Sequence, residues 1–173
     1  MALILTFKHP PIDLIFYSEY DFEQINDLTY KLVSKANEEP ITSINKRAFA
    51  DWASLESVVF GLSINTIGNS AFYNCKSLES VVIPNSVNTI GECAFSYCTS
   101  LKSVVIPNSI NTINDYAFAC CVSLESVVIP DSVKTIGYDA FLNCPSLKTV
   151  IIDGQLTEYL KEYFETYYLE IDL

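Results

Sequence analysis

The sequence predicts an α/β solenoid: a right-handed coil of five 23-residue repeats with a parallel strand face, closed at both ends by helical or strand caps. Three observations predict it. Ala-Phe pairs stand at Ala48-Phe49, Ala71-Phe72, Ala94-Phe95, Ala117-Phe118 and Ala140-Phe141, each 23 residues from the last. The leucines Leu55, Leu78, Leu101, Leu124 and Leu147 keep the same step, as do Ile44, Ile67, Ile90, Ile113 and Ile136. Residues 41–153 carry all five copies without insertion or deletion. A fixed period in the twenties marks a stack of coils in which each copy contacts only its neighbours.

The chain divides into an N-terminal cap (1–40), the solenoid (41–153) and a C-terminal capping helix (154–173), expected to form one structural domain. At 173 residues it is long enough to bury a real core. Half of its residues are hydrophobic and only 18% charged, which excludes a disordered chain. Net charge is −11. Residues 1–40 carry seven acids against three bases, and residues 154–173 carry five against one. The repeats between them hold nine acids and six bases, so the acidity sits at the ends. Phosphate backbones are bound by clustered Lys and Arg, so direct nucleic-acid binding is not expected.

No stretch approaches the length of a membrane span, and membrane insertion is not expected. The opening MALILTFKHPP lacks a basic n-region, a long apolar run and a small-residue cleavage site. The expected compartment is therefore cytoplasmic, with surface placement or secretion by an unconventional route as the alternative.

Within residues 1–40, Ala2–Phe7 and Ile12–Tyr17 are short apolar runs parted by His9-Pro10-Pro11, which suits two short strands. Ser18 and Asp21 have capping-box spacing, and Phe22, Ile25, Leu28 and Leu32 follow at helical intervals. A helix over Glu19–Ala36 is expected. Its role would be to cover the core and the unpaired strand edge of the first coil.

In each copy a segment such as LESVVIP reads as a strand, with Leu78, Val81 and Ile83 facing inward. Pro84, Pro107 and Pro130 lack a donor and are expected to close their strands. Gly61 and Asp153 stand there in the first and last copies. A corner at Asn85-Ser86 then turns Val87 and Ile90 inward along the opposite side. Gly68, Gly91 and Gly137, with Asn114 in the fourth copy, read as a second corner with unusual backbone angles. The Ala-Phe pair is expected to begin a short helical turn. Ala lets coils approach, while the five Phe rings form a continuous spine. After Asp153, Leu156, Tyr159, Leu160, Tyr163, Phe164 and Tyr167 recur at helical spacing, predicting an amphipathic capping helix over Leu156–Tyr168.

The pattern AFxxCxSLxSVxIPxSVxxIG, seen in CAFSYCTSLKSVVIPNSINTI, resembles the BspA-type (treponemal-type) leucine-rich repeats. Copies two to five match at nearly every motif position. The first departs, with Trp52 where the others have Cys75, Cys98, Cys121 and Cys144. The resemblance implies a leucine-rich-repeat solenoid. Through family members that are surface adhesins, it also implies binding to protein or matrix.

The cysteines at 75, 98, 121 and 144 occupy equivalent positions and so form a line. Tetrahedral zinc needs ligands that converge on one point. Neighbours in the line fall near disulfide reach, but a cytoplasmic setting favours thiols, and buried Cys packs as a small hydrophobe. Structural thiols are the expected state, while Cys93 and Cys120 look incidental. His9 is the only histidine, and the five glycines leave no phosphate loop. The chain is expected to be a non-enzyme, with no catalytic residue, cofactor or metal site.

Alternation along the strands turns three rows outward. They are an apolar row (Val59, Val82, Val105, Val128, Ile151), a hydroxyl row (Ser57, Ser80, Ser103, Ser126, Thr149) and a charged row (Glu56, Glu79, Lys102, Glu125, Lys148). A solvent-facing apolar column is what a binding surface would show. The expected function is a protein-interaction scaffold that binds an unknown protein partner through this face, as a monomer or weak homo-oligomer. The alternative is an acidic decoy or inhibitor of a basic, nucleic-acid-binding protein, suggested by the acidic ends. A row of Thr66, Thr89, Thr112 and Thr135 raises ice binding, although one Thr per coil falls short of a flat double ladder.

Overall fold

The computed structural model describes residues 3–7, 21–26, 29–33 and 41–153. Among the described residues three strands precede the repeats: β1 (Leu3–Phe7), β2 (Asp21–Asn26) and β3 (Thr29–Val33). Each coil then contributes a short back strand and a front strand. These are β4 (Ser43–Ile44) and β5 (Leu55–Val59), then β6 (Thr66–Ile67) and β7 (Ser80–Val82). They continue as β8 (Thr89–Ile90), β9 (Ser103–Val105), β10 (Thr112–Ile113), β11 (Ser126–Pro130), β12 (Thr135–Ile136) and β13 (Thr149–Asp153). The architecture is a parallel-strand β-solenoid of about five turns. Among the described residues there is no helix, so the α component of the expected α/β class is not found.

The front strands pair in parallel with an offset of 23, as in Ser57↔Ser80, Val104↔Val127 and Val128↔Ile151. The interior is what the repeat predicts. Leu78, Val81, Ile83, Val87 and Ile90 are all buried, as are their counterparts in the next two coils. The five phenylalanines are fully buried and stacked, with centroids 5.2 Å apart for Phe72–Phe95 and 5.4 Å for Phe95–Phe118. Such spacing lies in the favourable range for offset aromatic stacking.

The expected helix over Glu19–Ala36 is replaced by β2 and β3, paired antiparallel, with β1 joining β3 to β5. The reason is the edge of the first coil. Its main-chain donors and acceptors need partners, which a strand supplies and a helix does not. The sheet therefore runs β13-β11-β9-β7-β5-β1-β3-β2. The strand expected over Ile12–Tyr17 and the helix over Leu156–Tyr168 lie outside the described residues.

Pro130 closes β11 as expected, as its last residue, paired with Asp153. Two local expectations change. The Ala-Phe stretch is a ladder of turns, not a helical turn. Residues 47, 70, 93, 116 and 139 and residues 51, 74, 97, 120 and 143 all have positive φ, between 52° and 67°. These left-handed residues flank each Ala-Phe pair and prevent a helix. They also aim alternate N–H groups at the following coil: Ser70 to Glu92 O, Phe72 to Ala94 O and Asn74 to Ser96 O, each 2.8 Å.

The glycine column differs as well. Gly68, Gly91 and Gly137 do not have positive φ. They are needed because a Cβ would stand 2.7 Å from Ile44 O at Gly68, and 2.5 Å from the backbone N of Asn69 at Gly91. Close approach of backbones, not a special turn, selects glycine here.

Candidate functional site

Alternation on β5, β7, β9, β11 and β13 turns the apolar row to solvent as expected. Val82 is 71% exposed, Val105 58%, Ile151 50% and Val59 49%, while Val128 is half-buried. Beside them Ser80 and Ser103 are exposed, and Ser57, Ser126 and Thr149 are half-buried. In the charged row Glu79, Lys102, Glu125 and Lys148 are exposed and Glu56 is half-buried. Lys102 Nζ reaches Glu79 Oε2 at 3.0 Å across one junction. Both side chains are about half exposed or more, so this pair adds little stability and leaves the row available.

The N-terminal strands lengthen this face. Five rungs at strand spacing span roughly 20 Å, whereas the eight-stranded sheet spans roughly 34 Å. Ile4 stands in register with Val59, and Thr6 with Ser57. Exposed aliphatic residues that were missed are Val122, 41% exposed, and Leu62, 66% exposed at the corner after β5. The signal for Leu62 was a departure from the repeat, since the other copies place Asn85, Asn108 and Asp131 there. The turn side also carries exposed Tyr97 and Tyr138, which pack edge-on with Tyr73 and Tyr116 at 5.5 and 5.7 Å.

The cysteine line has a structural task. Each thiol donates to the Phe carbonyl of the preceding coil: Cys75 to Phe49 O at 3.1 Å, then Cys98 to Phe72 O, Cys121 to Phe95 O and Cys144 to Phe118 O at 3.2 Å. Burial pushes all four thiols up, Cys144 from 9.0 to about 12. A buried, protonated thiol is a poor nucleophile and a poor metal ligand. This also explains Trp52. Among the described residues no coil with an Ala-Phe pair precedes the first, and Trp52 instead packs edge-on against Phe49 at 5.0 Å. Cys120, outside the line, accepts from Asn143 Nδ2 of the next coil at 3.8 Å. Among the described residues no three His, Cys, Asp or Glu side chains converge as metal ligands. His9 lies outside those residues.

The threonine row does not present free hydroxyls. Thr66 and Thr89 donate to Asn65 and Asn88, and Thr112 bonds Thr135 at 2.8 Å. That geometry does not favour ice binding.

A stacked coil with one continuous parallel face defines a repeat protein of the leucine-rich class. The chain belongs to the BspA-type leucine-rich repeat family, whose model, "BspA type Leucine rich repeat region (6 copies)", matches residues 18–148. It is similar to a leucine rich cell surface protein from Faecalibacterium prausnitzii A2-165, with 31% identity and a TM-score of 0.67 over 80% of this chain. It is also similar to a leucine-rich repeat protein from Bacteroides ovatus, with 30% identity and a TM-score of 0.64 over 77% of this chain. The chain spans only 40% and 36% of those two proteins. A leucine-rich repeat protein from T. pallidum matches at 26% identity and a TM-score of 0.66, covering 82% of this chain and 83% of that one. No curated protein matches the chain. Leucine-rich repeat proteins generally mediate protein–protein interaction.

Proposed function

We propose that the chain is a protein-interaction scaffold whose strand face binds a protein partner. The observation that carries this reading is the apolar column. Val59, Val82, Val105 and Ile151 stand half-exposed or more on the front of a sheet whose neighbouring rows are hydroxyl and charged. An exposed apolar stripe rimmed by polar residues is the surface pattern of a binding site. A stable interface buries about 800 Å² per partner, so the occupant reaches beyond the column to the charged row and to Leu62 or the N-terminal strands. On this reading the chain acts by binding and not by catalysis. Four of its six cysteines are already committed to main-chain carbonyls inside the core.

The test is affinity capture from the native host, with Val105→Glu beside the unchanged protein. A charge at the centre of the column must be desolvated by any partner seated there. Melting should be unchanged and binding weakened at least tenfold. Undiminished capture by Val105→Glu would sink the strand-face reading. Loss of the partner at high salt would point instead to the acidic ends and a decoy for a basic protein.

A further inference from the structure

Coils three and four are joined differently from the rest. At the other junctions the back of the solenoid is held by main-chain N–H groups donating to the preceding coil. Asn65 bonds Thr42 O and Gly68 bonds Ile44 O at the first junction. Asn88 bonds Asn65 O and Gly91 bonds Ile67 O at the second, and Lys134 bonds Asn111 O and Gly137 bonds Ile113 O at the fourth. These bonds are 2.7–2.8 Å long. At the third junction neither counterpart forms, from Asn111 N to Asn88 O or from Asn114 N to Ile90 O. The back strands divide there, β4, β6 and β8 forming one sheet and β10 and β12 another.

The cause is the residue in the glycine column. At Gly91 and Gly137 a Cβ would lie 2.5 Å from the backbone N of the preceding coil, closer than real Cβ atoms come. Asn114 carries that Cβ, so its backbone cannot approach as closely. Its side chain takes the vacated acceptor, with Asn114 Nδ2 donating to Ile90 O at 2.6 Å, and Ser109 Oγ donates to Val87 O. The serine bond recurs at the first junction, Ser63 Oγ to Ile41 O at 2.8 Å, so the Asn114 amide alone stands in for the missing main-chain bond. The front and turn sides cross the same junction intact. Val104 and Val105 pair with Val127 and Val128, and Cys93, Phe95 and Tyr97 donate to Asp115, Ala117 and Ala119.

We propose that Asn114 makes this junction a seam, at which the solenoid opens along its back while the front sheet and turn ladder stay joined. Coils one to three and coils four and five then move as two blocks, and opening at the back curls the front face. Local opening of this kind is read by native-state amide exchange. In the full chain the Asn111 and Asn114 amides should exchange at least tenfold faster than those of Asn88, Gly91, Lys134 and Gly137. Asn114→Gly should restore the main-chain bond and slow exchange at 111 and 114 toward the Gly91 level. Gly91→Asn should create a second fast pair, at positions 88 and 91. Equal protection at all four junctions in the unchanged protein would overturn the proposal by itself, whether or not either variant folds. Fast exchange at 111 and 114 that persists in a folded Asn114→Gly variant would overturn Asn114 as the cause.

Discussion

The turn side and the back of this solenoid solve one problem in two ways. Both must bring successive backbones to hydrogen-bonding distance. On the turn side three N–H groups cross every junction, those of residues 47, 49 and 51 and their equivalents, and none of the four junctions loses one. The positions that aim them are left-handed but hold Arg, Ser, Cys, Tyr, Asp or Asn, never glycine. On the back the approach depends on the absence of a Cβ, and one Asn in that column interrupts it. A strained conformation is tolerated by many side chains at a cost of about 1–2 kcal/mol each. A steric exclusion is not, because the neighbouring backbone has nowhere to go. The first kind of constraint yields a ladder that survives sequence drift, and the second yields one that breaks at a single substitution.

The largest effect tests the turn side through its core. Phe95 is fully buried and stacked between Phe72 and Phe118. Phe95→Ala should cost about 3–5 kcal/mol, as truncation of buried Phe does. Coils couple to their neighbours, so the loss should collapse the array in one thermal transition. A melting temperature within a few degrees of the parent would show that turn-side hydrogen bonds, not the spine, carry the stability.

On the back, Gly91→Ala places a methyl 2.5 Å from Asn69 N. Overpacking against backbone should cost about 1–3 kcal/mol, read as a lower denaturant midpoint. The same substitution at an exposed site costs nothing of this size. A neutral result would mean that the back relaxes easily and that glycine there is incidental.

The thiol line ties the turn to the coil before it. Cys98→Ala removes the donor to Phe72 O and leaves a small void, for a cost of about 1–2 kcal/mol. The pH dependence has a definite sign. Burial raises the folded thiol above its ordinary 9.0, to about 12 for Cys144, so the unfolded chain loses its proton first as pH rises. Stability from Cys144 is therefore complete below pH 9.0 and falls between there and about 12. Native-state labelling at neutral pH should reach Cys93 and Cys120, both half-buried, well before the other four. Rapid labelling of all six would remove the buried-thiol account.

The period made much of this readable in advance. A 23-residue step puts Leu78, Val81 and Phe72 in the same surroundings as their copies, so inward and outward rows follow from counting. What could not be counted was set by neighbours. Phe22, Ile25, Leu28 and Leu32 satisfy helical spacing, yet the open edge of β5 demands strands. In the sequence, Asn26 at the end of DFEQIN and Asp27 after it are turn-favouring residues that run against a continuous helix. The glycines suggested conformational freedom, whereas their reason lies in the coil beneath. The ten left-handed positions escaped notice because no glycine marks them. The outward column was readable as a surface, but its partner leaves no trace in a repeat.

The smallest effect probes those left-handed positions directly. Ser70 has φ 55° and donates its N–H to Glu92 O at 2.8 Å, a bond that needs the conformation but not the side chain. Ser70→Gly removes the left-handed penalty of about 1–2 kcal/mol. Against that, glycine gives up more backbone freedom on folding, about 0.5–1 kcal/mol. The balance is a gain of about 0.5 kcal/mol, small but resolvable as a raised denaturant midpoint with an unchanged slope. Cys93→Gly in the next coil, at φ 53°, should move the same way. If both variants are destabilised, these side chains are holding the turns themselves, and the tolerance of the turn side is a matter of specific contacts rather than of backbone geometry.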